Sequence, residues 1–143
     1  MSQEDSCKKI VFVPSDMAGK PITQSIVNTF QEPVKIVNLV DYIVTTYDSE
    51  AAENLFSTLC NRVYLETLKY GNNATYYVIC GGAVVNSVLA VSTLMSIGIK
   101  KENIVLLVWE KRQHRYLQFD ISGKRVDSDG YGFEYEESEE DSD

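Results

Sequence analysis

The chain has 143 residues, 44% of them hydrophobic, and a formal net charge of −8. This length and apolar content suit one domain with a real core and exclude a fibrous or wholly disordered chain. Nine of the 21 acids and no base fall in residues 127–143, which leaves residues 1–126 with thirteen bases against twelve acids.

The expected organisation is therefore a folded domain over residues 1–126 and an acidic, disordered, solubilising tail over residues 127–143. A nearly neutral body can hold an anionic ligand locally, while the tail repels duplex nucleic acid. Cys7, Cys60 and Cys80 are widely spaced and lack both zinc-site pairing and the density of a disulfide scaffold, so they read as reduced thiols. No metal or cofactor is expected. The polar start "MSQEDSCKK" is not a signal sequence, and no apolar run reaches the roughly 18–20 residues of a membrane span. The chain reads as soluble and cytoplasmic, with no membrane partner.

In chain order, Ile10 to Val13 predict a short, fully apolar strand stopped by Pro14, the pattern of a strand covered on both faces. The loop "PSDMAGK" comes next. Pro21 suits a first helical position, and Ile22, Ile26, Val27 and Phe30 recur at helical spacing. Residues 34–47 are rich in β-branched side chains and predict one long strand, or two pieces meeting near Asp41. Asp48 and Ser49 make a helix cap, and Leu55, Phe56, Leu59, Cys60 and Val63 lie on one face of a helix reaching about Lys69. "YYVIC" predicts a strand, and "AVVNSVLAVSTLMSI" a helix apolar almost all round, hence buried on more than one side and, with small residues Ser87 and Ala90, suited to a subunit interface, with Gly98 as its C-cap. "ENIVLLVW" and "RYLQFDIS" are then strands joined by the charged turn "EKRQH" as a hairpin. Strands alternating with helices predict an α/β fold, a Rossmann-like three-layer sandwich with a mostly parallel central sheet and a C-terminal hairpin strand.

In such sheets ligands sit beyond the carboxyl ends of the strands, where connections diverge to opposite faces. Two loops leave strand C-ends: "PSDMAGK" and "CGGA". If right-handed crossovers set their strands side by side, the loops flank one crevice. The first loop contains Gly19-Lys20 but fails the phosphate-loop pattern, with Pro14 where Gly is needed and Pro21 where Ser or Thr is needed. It still offers backbone amides over residues 15–20, including Ser15, Asp16 and Gly19, together with Lys20 and the Thr23 hydroxyl, either as an anion site or as a surface turn. Gly81-Gly82 lies between strand and helix, where bare amides meet the positive end of the helix dipole, without the spacing of a dinucleotide fingerprint. Asn86, one turn into the helix, reads either as a contact to a base edge or ribose or as a polar residue at a subunit contact. Cys80 reads as a packing cysteine, or a thiol at a helix start. His114, the single histidine, sits in a basic turn; its default reading is a solvated side chain, with catalysis as the alternative. Lys111, Arg112 and Arg115 read as a solvated face able to attract phosphate or pair with the acidic tail.

Over about residues 9–109 the chain resembles the CARF domain family, Rossmann-like sensors of cyclic oligonucleotides associated with CRISPR systems. The likeness rests on "VFVPSDMAGKPITQSI", on "YIVTTYDSEAAENL" and on "VICGGAVVNSVLAVSTLMSIGI", in that order and spacing. The chain departs from the family at Ala83 and Val84, where members often carry Thr and Lys. The resemblance implies a homodimer with a cyclic oligoadenylate lying across its two-fold axis, ligand contacts from Thr45 and Thr46 as well as from the two loops, and a role as a stand-alone ring nuclease or messenger sink. Metal-independent cleavage of such a ring needs geometry and charge stabilisation, for which Lys20 and His114 are the competing candidates. The alternative is a non-catalytic dimeric interaction protein whose acidic tail contacts a basic partner.

Overall fold

The computed structural model describes residues 9–14, 22–40, 48–81 and 84–127. In chain order these form β1 (Lys9–Val13), α1 (Ile22–Phe30), β2 (Lys35–Asn38), α2 (Ser49–Tyr70), β3 (Thr75–Ile79), α3 (Val84–Ser96), β4 (Ile104–Glu110) and β5 (Arg115–Asp120), with 3-10 turns at Gly71–Asn73 and Lys101–Asn103. The strands make one sheet in the order β2-β1-β3-β4-β5. The first four run parallel and β5 returns antiparallel beside β4. This is the α/β sandwich with a mostly parallel sheet and a C-terminal hairpin that the alternating pattern predicts.

The uninterrupted apolar runs of β1 and β3 follow from burial on both faces. Ile10, Phe12, Tyr76 and Val78 meet Leu55, Leu59 and Val63 of α2 and Ala90 and Leu94 of α3. The alternate residues Val11, Val13, Tyr77 and Ile79 face the other way and meet Ile26 and Phe30 of α1, together with Leu107 and Tyr116. The period of two along each strand thus divides one sequence run between two cores. Tyr76 stacks on Phe12 with centroids 5.9 Å apart, and its hydroxyl donates to the Gly71 carbonyl at 2.7 Å. Burial, with Glu66 and Tyr70 nearby, pushes its pKa up to about 12, so it remains a neutral donor.

The helix ends obey local chemistry. Asp48 caps α2 by accepting from the Ala51 N–H at 2.8 Å. Gly98, at φ 95, closes α3: Gly98 N–H donates to Met95 O and Ile99 N–H to Leu94 O, satisfying two terminal carbonyls, while Ile99 and Leu94 both enter the core.

Three expectations are corrected. The strand expected over residues 34–47 pairs with β1 only through Lys35–Asn38, followed by buried Leu39 and Val40; residues 41–47 lie outside the described residues. Cys80 falls just beyond β3, which ends at Ile79. Most consequentially, α3 is not covered on several sides within one chain. It packs through Asn86, Ser87, Ala90 and Leu94, while Val84, Val85, Val88 and Met95 remain exposed. Small and polar residues face inward because the helix start lies close to the ends of β1 and β3, where side-chain hydrogen bonds meet the backbone. Among the described residues no helix is long and apolar enough to cross a membrane.

Candidate functional site

The sheet order makes β1 and β3 immediate neighbours, paired in parallel from Lys9 with Thr75 to Phe12 with Val78. The chain after β1 leads to α1 on one face, and the chain after β3 leads to α3 on the opposite face. Their carboxyl ends therefore flank the point where connections diverge, which is where doubly wound sheets open a crevice for ligands. The loops beginning at Pro14 and at Gly81 both start there, as the crossover argument requires.

Asn86 holds this place together. Its side chain is 2% exposed, and its Nδ2 donates to the Pro14 carbonyl at 2.9 Å. One hydrogen bond thus joins the start of α3 to the end of β1, across 72 residues of sequence. The Asn86 Oδ1 is buried without a partner, a polar atom with unused acceptor capacity beside the crevice. Ser87 Oγ donates to the Ile79 carbonyl at 3.1 Å and ties the same helix turn to the end of β3. Burial leaves Asn86 one polar atom, Oδ1, for either a base edge or ribose or a subunit contact. It is a positioning residue, with its Nδ2 already engaged.

Cys80 precedes Gly81 at the crevice. Its thiol is partly buried, lies 3.5 Å from the Val78 carbonyl, and is pushed above the ordinary thiol pKa by burial, with the backbone at Leu107 opposing weakly. That favours packing over an activated nucleophile. Cys80 is therefore expected to react with iodoacetamide near neutral pH several-fold more slowly than a free cysteine. Reaction faster than the free amino acid would restore the activated-thiol reading.

A groove of about 760 Å³ starts at Cys80 and Gly81 and runs along α3, between Val84, Val88, Val91 and Met95 on the helix and Leu106 and Ile121 on the sheet side. These four helix positions are spaced four, three and four residues apart, the rhythm by which one helix offers a seam to another. The signal is present in "VVNSVLAVSTLM", but periodicity alone does not separate a seam facing its own core from one facing outward.

Of the residues singled out from sequence, Gly81 and Asn86 stand together at the crevice. Ser15, Asp16, Gly19, Lys20, Thr45, Thr46 and Gly82 lie outside the described residues. His114 stands in the β4–β5 turn, at the same carboxyl edge of the sheet as the Pro14 and Gly81 loops but beyond β4, on the side of α1. The His114 backbone has φ 53 and closes the hairpin turn in a conformation that glycine or asparagine adopts more readily. Its carbonyl accepts from Asn28 Nδ2 at 3.5 Å, and its ring lies 6.1 Å from that of Trp109. Sequence reasoning misses the Asn86 bond to Pro14, because a contact over that separation leaves no local periodicity. In searches against known proteins, no protein-family model, no curated protein and no solved structure matched this chain.

Proposed function

We propose that the protein binds a cyclic oligonucleotide of the cyclic oligoadenylate class across a homodimer, with slow metal-independent cleavage of the ring as its accompanying activity. The observation that carries this reading is the β1/β3 switch point, where the two candidate loops begin side by side and Asn86 fixes their relative position. The apolar seam of α3 starts at the same place, so a second copy packed on it brings a second crevice next to the first. A ring with rotational symmetry suits two such crevices related by a two-fold axis.

The backbone amides of residues 15–20 and of Gly81 and Gly82 would bind phosphate oxygens, with Lys20 adding charge. In the cleavage step a ribose 2′-hydroxyl attacks the adjacent phosphorus in line. The P–O bond to the next 5′-oxygen breaks, the hydroxyl proton is lost, and the leaving oxygen gains a proton. The protein's share is to hold that alignment and stabilise the developing charge.

A thermal-shift panel of mononucleotides, linear oligoadenylates and cyclic oligoadenylates tests the reading, since a ligand that binds only the folded state raises the melting temperature. A rise specific to the cyclic compounds is expected. Lys20→Ala should weaken their binding by about tenfold and reduce its salt sensitivity, the effect of losing one charged contact to phosphate. His114→Ala should leave binding within about twofold, because its turn follows β4 and is held against α1, on the face opposite α3. Abolished cleavage with intact binding in His114→Ala would assign the proton transfer to the hairpin instead. No shift with any cyclic compound would remove the proposal.

A further inference from the structure

Arg115, at the start of β5, is partly buried, and its Nε is shielded from water and has no hydrogen-bond partner. It lines an open cleft of about 960 Å³ with Asn28, Gln31, Glu32 and Gln113. The one carboxylate in that lining, Glu32, is already paired with Lys9. Lys111 and Arg112 stand exposed in the adjoining turn, and Glu110, the cross-strand partner of Arg115, accepts from the Arg112 backbone N–H at 2.7 Å. Glu110 stands opposite Arg115 in the β4–β5 ladder, so among the described residues the hairpin sets three cations, Lys111, Arg112 and Arg115, against that one carboxylate, while Arg115 Nε keeps no partner.

The path of the chain supplies one. After β5 the Asp120 carboxylate accepts from Ser122 N–H, Ser122 Oγ–H and Lys124 N–H, a turn that reverses direction. Arg125 then pairs antiparallel with Phe119, and Val126 N–H donates to Gln118 O at 2.9 Å. In this register Asp127 faces Leu117, two residues from Arg115, and the chain is heading for the hairpin. The next outward donor of β5, Tyr116 N–H, is taken by Thr29 Oγ1 at 2.8 Å. The described residues end at Asp127, two residues short of Arg115 in this register. Residues 128–143 contain eight acids and no base.

We propose that the acidic segment of residues 129–143 docks on this chain's own hairpin, with carboxylates neutralising Arg115, Arg112 and Lys111. Reach is sufficient: at about 3.3–3.6 Å per residue, Asp129 already spans the two-residue gap, and Glu134 to Glu137 extend past the turn. The contact does not depend on the nucleotide reading.

Zero-length carbodiimide coupling of the full chain, followed by digestion and mass spectrometry, tests it. The expected product in the monomer fraction is an amide between Lys111 Nζ and a carboxylate of residues 129–143. Its yield should fall about fivefold in ~0.5 M salt, where the screening length shortens to about 4 Å, and similarly in the exposed variant Arg112→Glu. Lys100 and Lys101, at the opposite end of β4, serve as controls for random encounter. Coupling at Lys111 no greater than at Lys100 overturns the proposal. So does coupling found only in covalent dimers, which would make the occupant a second copy's tail.

Discussion

Asn86→Asp is expected to lower the unfolding free energy by about 3 kcal/mol near neutral pH, although it exchanges a single heavy atom. The substitution replaces the buried Nδ2 donor, 2.9 Å from the Pro14 carbonyl, with an oxygen. Two acceptors then face each other, and a carboxylate is held at a site 2% exposed. The sign with pH comes from burial, which raises the folded-state pKa of the new carboxyl above its unfolded value near 4. Below that unfolded value both states are protonated, and the acid can donate to Pro14 O, so the loss is small. It grows as pH rises and reaches its full size above the folded-state pKa. Urea unfolding at pH 4 and pH 7 checks this: an equal loss at both would mean that Asn86 contributes through shape rather than through its hydrogen bond. Ligand affinity should fall with the same variant, because the end of β1 and the start of α3 lose their common tether.

Val88→Glu is expected to leave the single chain as stable as before, within about 0.5 kcal/mol, and to abolish self-association. Val88 is 58% exposed in one chain, so a carboxylate there remains hydrated. In a dimer packed on the α3 seam the same carboxylate would be buried without a partner, at a cost of several kcal/mol, enough to weaken association by about a thousandfold. Sedimentation velocity on wild type and variant separates the two states. A wild-type protein that stays monomeric at tens of micromolar would mean that the valine stripe serves something other than a second copy.

The layers are legible in the sequence because each depends on local pattern. The β-branched runs of β1 and β3, the Asp48 cap and the Gly98 terminator all appear in the structure where the residues place them. The structure also places β1 and β3 side by side, as the two-loop crevice requires. Features that are not legible depend on contacts distant in sequence. Asn86 reads as a contact to a base edge or ribose or as a polar residue at a subunit contact, since nothing near it in the chain indicates that its partner, Pro14, is 72 residues away. An apolar residue carries no mark of whose core it belongs to, so the helix reads as covered on more than one side without showing that Val84, Val88 and Met95 stay exposed while Val91 packs partly against this chain's own core. His114 is a candidate for catalysis on its chemistry alone, whereas the turn places it beside Trp109 and α1. The short β2 is overextended because residues after Asn38 keep a β-like composition while only four residues pair with β1.

Isothermal titration of the full chain with a cyclic oligoadenylate tests the central claim most directly, because stoichiometry reports both the ligand and the two-fold site. Saturable binding at one ring per two chains is expected, lost in Val88→Glu. One ring per chain, undiminished in that variant, or no binding heat and no ligand retained at micromolar protein, would contradict it.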